Sequence, residues 1–306
     1  MKIGKKTCLL QNMPNHNFRY FGTSFTKTKN MNFFERLSNG WQMAKLSYTT
    51  INENRSLLLF PVFSGIALIF VLASFAGGSF FFAGDQIEAL FNDEQSGKAL
   101  GYALIFFYYF VSYFVIVFFN SALIHCALKI LNGEETSFHD GIGFAWSRIG
   151  KIFVWSALSA TVGTLLQALQ ETGKIGQIVS SLIGMAWSIM TFFVVPILVY
   201  EDRGVLDTVK ESSRMMRQKW GESLSATASF GFFNFLGILA SIGIGFALAY
   251  INVALGIAVG VLLALAVSTI SSAAGSVFVA AVYNHVTGRP TGHFDGAALD
   301  SVFIPK

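Results

Sequence analysis

Residues 223–288 read SLSATASFGFFNFLGILASIGIGFALAYINVALGIAVGVLLALAVSTISSAAGSVFVAAVYNHVTG and hold no Asp, Glu, Lys or Arg. At 1.5 Å rise per residue, about 20 apolar residues in a helix cross the hydrocarbon layer of a bilayer. The stretch is long enough to cross twice, and water offers it no plausible fold. Residues 56–82, 100–128 and 151–199 are similarly apolar. Together they predict an all-α fold: a polytopic membrane protein with six transmembrane helices. The spans are expected near 57–82, 100–128, 152–169, 175–200, 224–250 and 252–285. The turn around Tyr250, Ile251 and Asn252 must then be very tight.

Composition agrees with that reading. The 306 residues are 53% hydrophobic and only 12% charged, about half the charged fraction of a soluble domain. The 32 Phe and 29 Gly suit lipid-facing aromatics and close helix contacts. Cys8 and Cys126 supply neither a disulfide framework nor a metal site. Cys126 lies in an apolar segment, where a buried inert thiol is expected.

Three regions are expected along the chain. Residues 1–30 carry Lys2, Lys5, Lys6, Arg19, Lys27 and Lys29 with no acid. They read as a disordered basic arm near anionic headgroups, or else translation starts at Met31. Residues 31–288 form the six-span membrane domain, and residues 289–306 a cytoplasmic tail. Orientation follows the distribution of Lys and Arg in short loops. Of 21 such residues, only Lys98 and Lys174 fall in the outer loops when the amino terminus is inside. Both termini are therefore expected in the cytoplasm.

The inner segments share a design. Apolar residues recur at helical spacing at Phe34, Leu37, Trp41, Ala44, Tyr48 and Ile51 before the first span. They recur at Phe138, Ile142, Ala145, Ile149 and Ile152 before the third, and at Leu206, Val209, Met216 and Trp220 before the fifth. Basic residues flank each stripe. Such a helix lies flat in the headgroup layer, so the architecture reads as three repeats of an interfacial amphipathic helix plus a transmembrane hairpin. Lys210, Arg214 and Arg217 share one helix face. With Lys219 they form a candidate headgroup-binding set; the alternative is that these charges only keep the loop inside. Membrane lipids with anionic headgroups at the cytoplasmic face are the expected partners, and no nucleic acid is.

Catalysis or ion coupling in a membrane shows as an ionisable residue inside a span, and none lies well inside here. His125 and His285 sit near inner helix ends. With Tyr283 and Asn284 they form a candidate polar cluster, read either as a latch or metal site or as histidines satisfied by water. Two histidines without a third ligand are weak support for zinc. Asn120, Gln167, Gln170, Gln177 and Asn234 either line a polar path or bond across helices. Gly256, Gly260 and Ala264, in a ribbon of small residues at every fourth position, suit tight helix packing or self-association. Pro196 reads as a static kink or a hinge. Phosphate-loop, dinucleotide, metalloprotease and nucleophile-elbow motifs are absent. No catalytic residue, cofactor or metal ligand is expected, and the chain reads as a non-enzyme.

The Trp41 segment leading to Leu59-Phe60-Pro61 is one of several stretches that carry a family likeness. Others are Leu131-Asn132-Gly133-Glu134 with Asp140-Gly141, Trp155-Ser156-Ala157 with Ala160-Thr161-Val162-Gly163, and Phe192-Phe193-Val194-Val195-Pro196. The stretch from Phe294-Asp295 to Phe303-Ile304-Pro305-Lys306 is another. On these residues the chain resembles a family of six-span bacterial membrane proteins, a domain of unknown function, over about residues 31–306. The resemblance implies a fold and a bacterial inner-membrane location, and no activity. Pro196, Glu201, Ser212 and Trp220 also sit like a pattern in the membrane portion of some glycerophosphodiester phosphodiesterases. That looser likeness implies a shared membrane fold and not shared catalysis, because the hydrolytic domain of those enzymes is a separate soluble barrel. The expected role is lipid contact or support of a partner complex. A small transporter or channel is the alternative, and an intramembrane lipid-acting enzyme the third reading.

Overall fold

A computed structural model describes residues 33–81, 94–219, 225–294 and 299. Among these the chain is helical with no strand. Helix α1 is Phe33–Glu53, followed by a 3-10 turn at Arg55–Leu58 and α2 at Leu59–Phe81. Then come α3 (Glu94–Leu131), α4 (Phe138–Ser147), α5 (Ile149–Gln170), α6 (Lys174–Met190) and α7 (Val194–Tyr200). Helices α8 (Val205–Lys219), α9 (Ser225–Ala249) and α10 (Val253–Val286) complete the order.

Five stretches are long and apolar enough to cross a membrane: Arg55–Gly77, Ala99–Leu131, Ile149–Gln170, Lys174–Tyr200 and Val253–Val286. This fits a membrane-embedded protein. In α9 the apolar stretch Asn234–Ala249 is shorter than these. The expected basic arm lies outside the described residues.

Local chemistry explains several helix ends. Pro61 stands in the first turn of α2, where helical N–H groups have no partner to lose. Ser137 and Asp140 form a reciprocal capping box that starts α4. The Asn252 side chain accepts the Leu255 N–H at 3.0 Å and starts α10. That cap allows the tight turn after α9, where Tyr250 is 93% exposed. Gly133 ends α3 with φ of 81°, a left-handed backbone that favours glycine.

Packing is concentrated at one end of the bundle. The 33 residues of Ala99–Leu131 and the 34 of Val253–Val286 measure about 50 Å each at 1.5 Å per residue. That exceeds a hydrocarbon layer of about 30 Å by roughly 20 Å. Burial shows which end continues into protein. Leu123, Ile124, Leu128 and Leu131 of α3 are buried, as are Val277, Phe278, Val282 and Tyr283 of α10. They share one core with Met43 of α1, Phe60 of α2, Ile152 of α5, Phe193 before α7, Ile197 in it and Met216 of α8. We call this end the hub. At the far end Leu104, Phe107, Leu165, Ile257 and Leu262 are exposed, as surfaces facing lipid are. Phe294 and Leu299 are also buried in the hub core.

The faces that pack match the expected stripes in part: Ala44, Ile51 and Met216 are buried, and Tyr48 and Val209 pack against the core. Among the described side chains of α1, Met43, Ala44, Ser47, Thr50 and Ile51 are buried, whereas Trp41 is exposed. Among those of α8, Val205, Thr208, Ser212, Met215 and Met216 are buried, and Leu206 is exposed. Small polar residues turn inward because Ser47, Thr50 and Thr208 each donate to the carbonyl four residues earlier. In α4, the buried Ala145 and the partly buried Phe138 and Ile142 follow the expected stripe.

The small-residue ribbon of α10 is used inside the chain. A Cβ on Gly256 would fall 2.5 Å from the Gly245 carbonyl oxygen and 2.6 Å from the Ala249 nitrogen. A Cβ on Gly260 would fall 3.2 Å from Gly245 Cα. Helices α9 and α10 are thus in backbone contact. Gly256 and Gly260 pack against α9, which is the tight helix packing that the ribbon was expected to suit as one of its two readings.

Candidate functional site

The fourth apolar stretch is broken. Helix α6 ends at Met190, α7 begins at Val194, and residues 191–193 form turns between them. The interruption lies three residues before Pro196, which occupies the first turn of α7 and needs no helical donor there. The break exposes the Phe193 N–H. Ser212 of α8 accepts it through Oγ at 3.0 Å, with both residues fully buried. A side chain from α8 therefore caps α7 across a gap of 19 residues in sequence.

Residues 201–204 join α7 to α8 and carry a charge clasp. Asp202 accepts from Lys151 Nζ at 2.5 Å and from Arg148 Nη1 at 2.7 Å, both near the start of α5. Those two bonds, the lysine's first, hold its carboxyl below the usual carboxylate range. Arg203 pairs through Nε with Glu201, and its Nη1 lies 3.6 Å from Glu211 of α8. The other oxygen of Glu201 accepts the Tyr283 hydroxyl of α10 at 3.1 Å. Glu201 and Ser212, through Arg203, Glu211, Tyr283 and Phe193, thus tie the α7 region, α8 and α10 together. Trp220, the fourth residue of the Pro196, Glu201 and Ser212 pattern, lies outside the described residues.

A second polar group adjoins it. Asn284 donates through Nδ2 to the Pro290 carbonyl at 2.7 Å and to Asn132 Oδ1 at 3.3 Å. Asn132 Nδ2 donates to the Tyr200 hydroxyl at 2.6 Å. The Arg289 guanidinium stacks over the Tyr200 ring at 3.8 Å and lies 5.8 Å from that of Tyr283. Asn284 Oδ1 and Arg289 Nη1 are buried without a hydrogen-bond partner.

Tyr283 and Asn284 of the expected cluster therefore lie in one network. His125 does not join it: its ring stacks on Phe144 of α4, 4.0 Å away and nearly parallel. His285 occupies the last turn of α10, partly exposed. Among the described residues no group of three His, Cys, Asp or Glu is placed to hold a metal. Sequence reading missed Asn132, Tyr200, Asp202, Arg203 and Arg289. The expected Tyr283 and Asn284, together with the spacing of Pro196, Glu201 and Ser212, pointed toward this corner.

The outward face of α8 is basic. Lys210, Arg214 and Arg217 are exposed, and with Ser213 they line a shallow concavity of about 360 Å³. Lys210 lies 3.4 Å from Asp207 and Arg214 lies 3.6 Å from Glu211. Lys219 ends the helix, and its side chain is outside the described residues. Trp146 of α4, 66% exposed, and Leu206 of α8 are further outward apolar groups. Of the amides, Asn120 accepts from Ser276 at 2.9 Å across α3 and α10, and Gln170 donates to Ser180 at 3.1 Å across α5 and α6. Asn234 Oδ1 is buried without a partner.

Comparison with known proteins adds a family. No curated protein matches the chain. The model of a family described as "Family of unknown function (DUF6159)" matches residues 99–293. This span includes Leu131 to Glu134, Trp155, Pro196, Glu201 and Ser212, and it leaves out the Trp41 segment, the Leu59-Phe60-Pro61 stretch and the stretch from Phe294 to Lys306. The chain belongs to this family of unknown function.

Proposed function

We propose that the protein is a six-span, non-catalytic protein of the bacterial inner membrane, with both termini and the hub on the cytoplasmic side. Its work is to hold anionic headgroups at that face, or to support a partner complex there. The six spans are arranged as three repeats of an interfacial helix and a hairpin. The element order supports this, because α1 and α8 each precede two long helices, and α4 precedes one long helix and the broken α6–α7 stretch.

The observation that carries the reading is the double character of α8. One face is buried in the hub, and the other presents Lys210, Arg214 and Arg217 around a concavity. Each basic residue near an anionic surface contributes about 1 kcal/mol. Asp207 and Glu211 offset part of that sum, so the site suits a phosphate at the membrane better than a dilute free anion.

Native mass spectrometry tests it. The protein is released from membranes of mixed phosphatidylcholine and phosphatidylglycerol, beside the triple variant Lys210→Gln, Arg214→Gln, Arg217→Gln. Anionic adducts should dominate on the wild type and fall at least fivefold on the variant. Equal retention by both would overturn the headgroup role.

A small transporter is the second reading, favoured by the broken fourth stretch and by the unpartnered Asn234 Oδ1. Cysteines placed at Gln167 and Asn234 separate the two. Labelling by a water-soluble maleimide supports a path, and protection argues against one.

A further inference from the structure

The charge pairs on α8 continue inward without a gap. Arg214 Nη1 lies 3.6 Å from Glu211 Oε2, and Arg203 Nη1 lies 3.6 Å from the same oxygen. Arg203 also pairs through Nε with Glu201 Oε2. The remaining Glu201 oxygen accepts the Tyr283 hydroxyl at 3.1 Å. One carboxylate oxygen, on Glu211, thus serves a guanidinium of the concavity and a guanidinium of the hub clasp.

We propose that Glu211 competes internally for the basic site, and that anionic headgroups, by drawing Arg214 away, strengthen the Tyr283–Glu201 hydrogen bond at the end of α10. This rests on the reading of α8 as a headgroup site. A phosphate at the concavity takes Arg214 from Glu211. Glu211 then attracts Arg203 more strongly, because it has lost its second cation. Arg203 moves toward Glu211, and Glu201 is less compensated. A carboxylate with less neighbouring positive charge is a stronger acceptor, so its bond to Tyr283 tightens. The inner end of α10 becomes firmer as lipid binds.

The clasp suits such a device. Arg203, Arg214 and Glu211 are all partly solvated, with side chains 48%, 68% and 22% exposed. Exchange among exposed pairs is cheap. The buried Tyr283 reads out the result. Coupling of this kind is reciprocal, so weakening the competitor must raise lipid affinity by the factor that lipid weakens the competitor.

Hydrogen exchange on the full chain in nanodiscs tests the relay, read at the Thr287, Gly288 and Arg289 amides that close α10. The discs hold phosphatidylcholine alone, phosphatidylcholine with phosphatidylglycerol, or phosphatidylcholine with millimolar inorganic phosphate. In the wild type, phosphatidylglycerol should slow exchange at these amides two- to fivefold, with little effect of phosphate. Glu211→Gln should retain two- to fivefold more anionic lipid. Arg203→Gln should bind lipid and lose the slowing. Lipid retained by the wild type without slowing would overturn the relay and leave the headgroup reading intact. Slowing that persists in Arg203→Gln would also overturn the relay. Absence of anionic enrichment would overturn both. Slowing by inorganic phosphate alone would overturn the lipid as ligand and leave the relay.

Discussion

The Ser212 hydroxyl of α8 accepts the buried N–H of Phe193 at 3.0 Å. That single bond satisfies the donor exposed by the break in the fourth apolar stretch, and it ties the buried face of α8 to the hub. Replacing Ser212 with Ala leaves a buried amide unpaired, which costs about 1–3 kcal/mol. The midpoint of unfolding in a detergent titration, followed by helical circular dichroism, should fall accordingly. Ser212→Thr, which keeps the acceptor, should recover part of the loss. An Ala variant as stable as wild type would show that the cap is dispensable.

The α9–α10 contact should be equally sensitive. A methyl group at Gly256 has no room against the Gly245 carbonyl and Ala249, so Gly256→Ala must push two backbones apart. Overpacking of this kind costs about 1–3 kcal/mol. A Cβ on Gly243 of α9 would meet nothing within 4 Å, and Gly243→Ala should change stability by less than about 0.5 kcal/mol. Thermal stability of the two variants in one detergent makes the comparison.

A third contact lies in the hub. A Cβ at Gly141 would fall 2.6 Å from Phe60 Cζ and 2.8 Å from Cys126 Sγ. Gly141→Ala should destabilise by about 1–3 kcal/mol. The same change in a Phe60→Leu background should cost less, because the ring end is gone, without vanishing, because the sulfur remains. A double-mutant cycle measures the difference. Strict additivity would contradict the contact.

The Asp202 clasp sets a pH dependence. Its folded carboxyl titrates below the ordinary value of the unfolded chain because Lys151 and Arg148 donate to it. The contribution is therefore present above the unfolded pKa of about 3.9, and it is lost as pH falls through the lower folded value. Wild type should exceed Asp202→Asn in thermal midpoint by a constant margin from about pH 5 to about pH 8. The margin should close only below about pH 4, and shrink in high salt because the side chain is exposed. A margin that instead closed on the alkaline side would contradict the assignment.

Much of the fold was legible because spans depend on local composition. The apolar runs at 100–128 and 252–285 and the capping Asn252 can be read one segment at a time. The faces of α1 and α8 could be read only in part. Ser47, Thr208 and Ser212 look like solvent-facing residues in sequence, yet they turn inward once their hydroxyls find carbonyl or amide partners. Five of the expected six spans have the length and apolarity to cross. The polar corner was mostly hidden, because Asn132, Asp202 and Arg289 meet their partners only when α3, α5, α7 and α10 converge. Charge at a loop, as at Arg203, carries no sign in the sequence of which acid it will find.

In the proposed orientation the hub faces the cytoplasm and the α9–α10 turn faces the opposite side. Single cysteines at Lys210 and Tyr250, in a Cys8→Ser background, test it in intact cells with a membrane-impermeant maleimide. Cys126 is buried and needs no replacement. Tyr250→Cys should label at once, and Lys210→Cys only after permeabilisation. Labelling of Lys210→Cys in intact cells, with Tyr250→Cys protected, would contradict it.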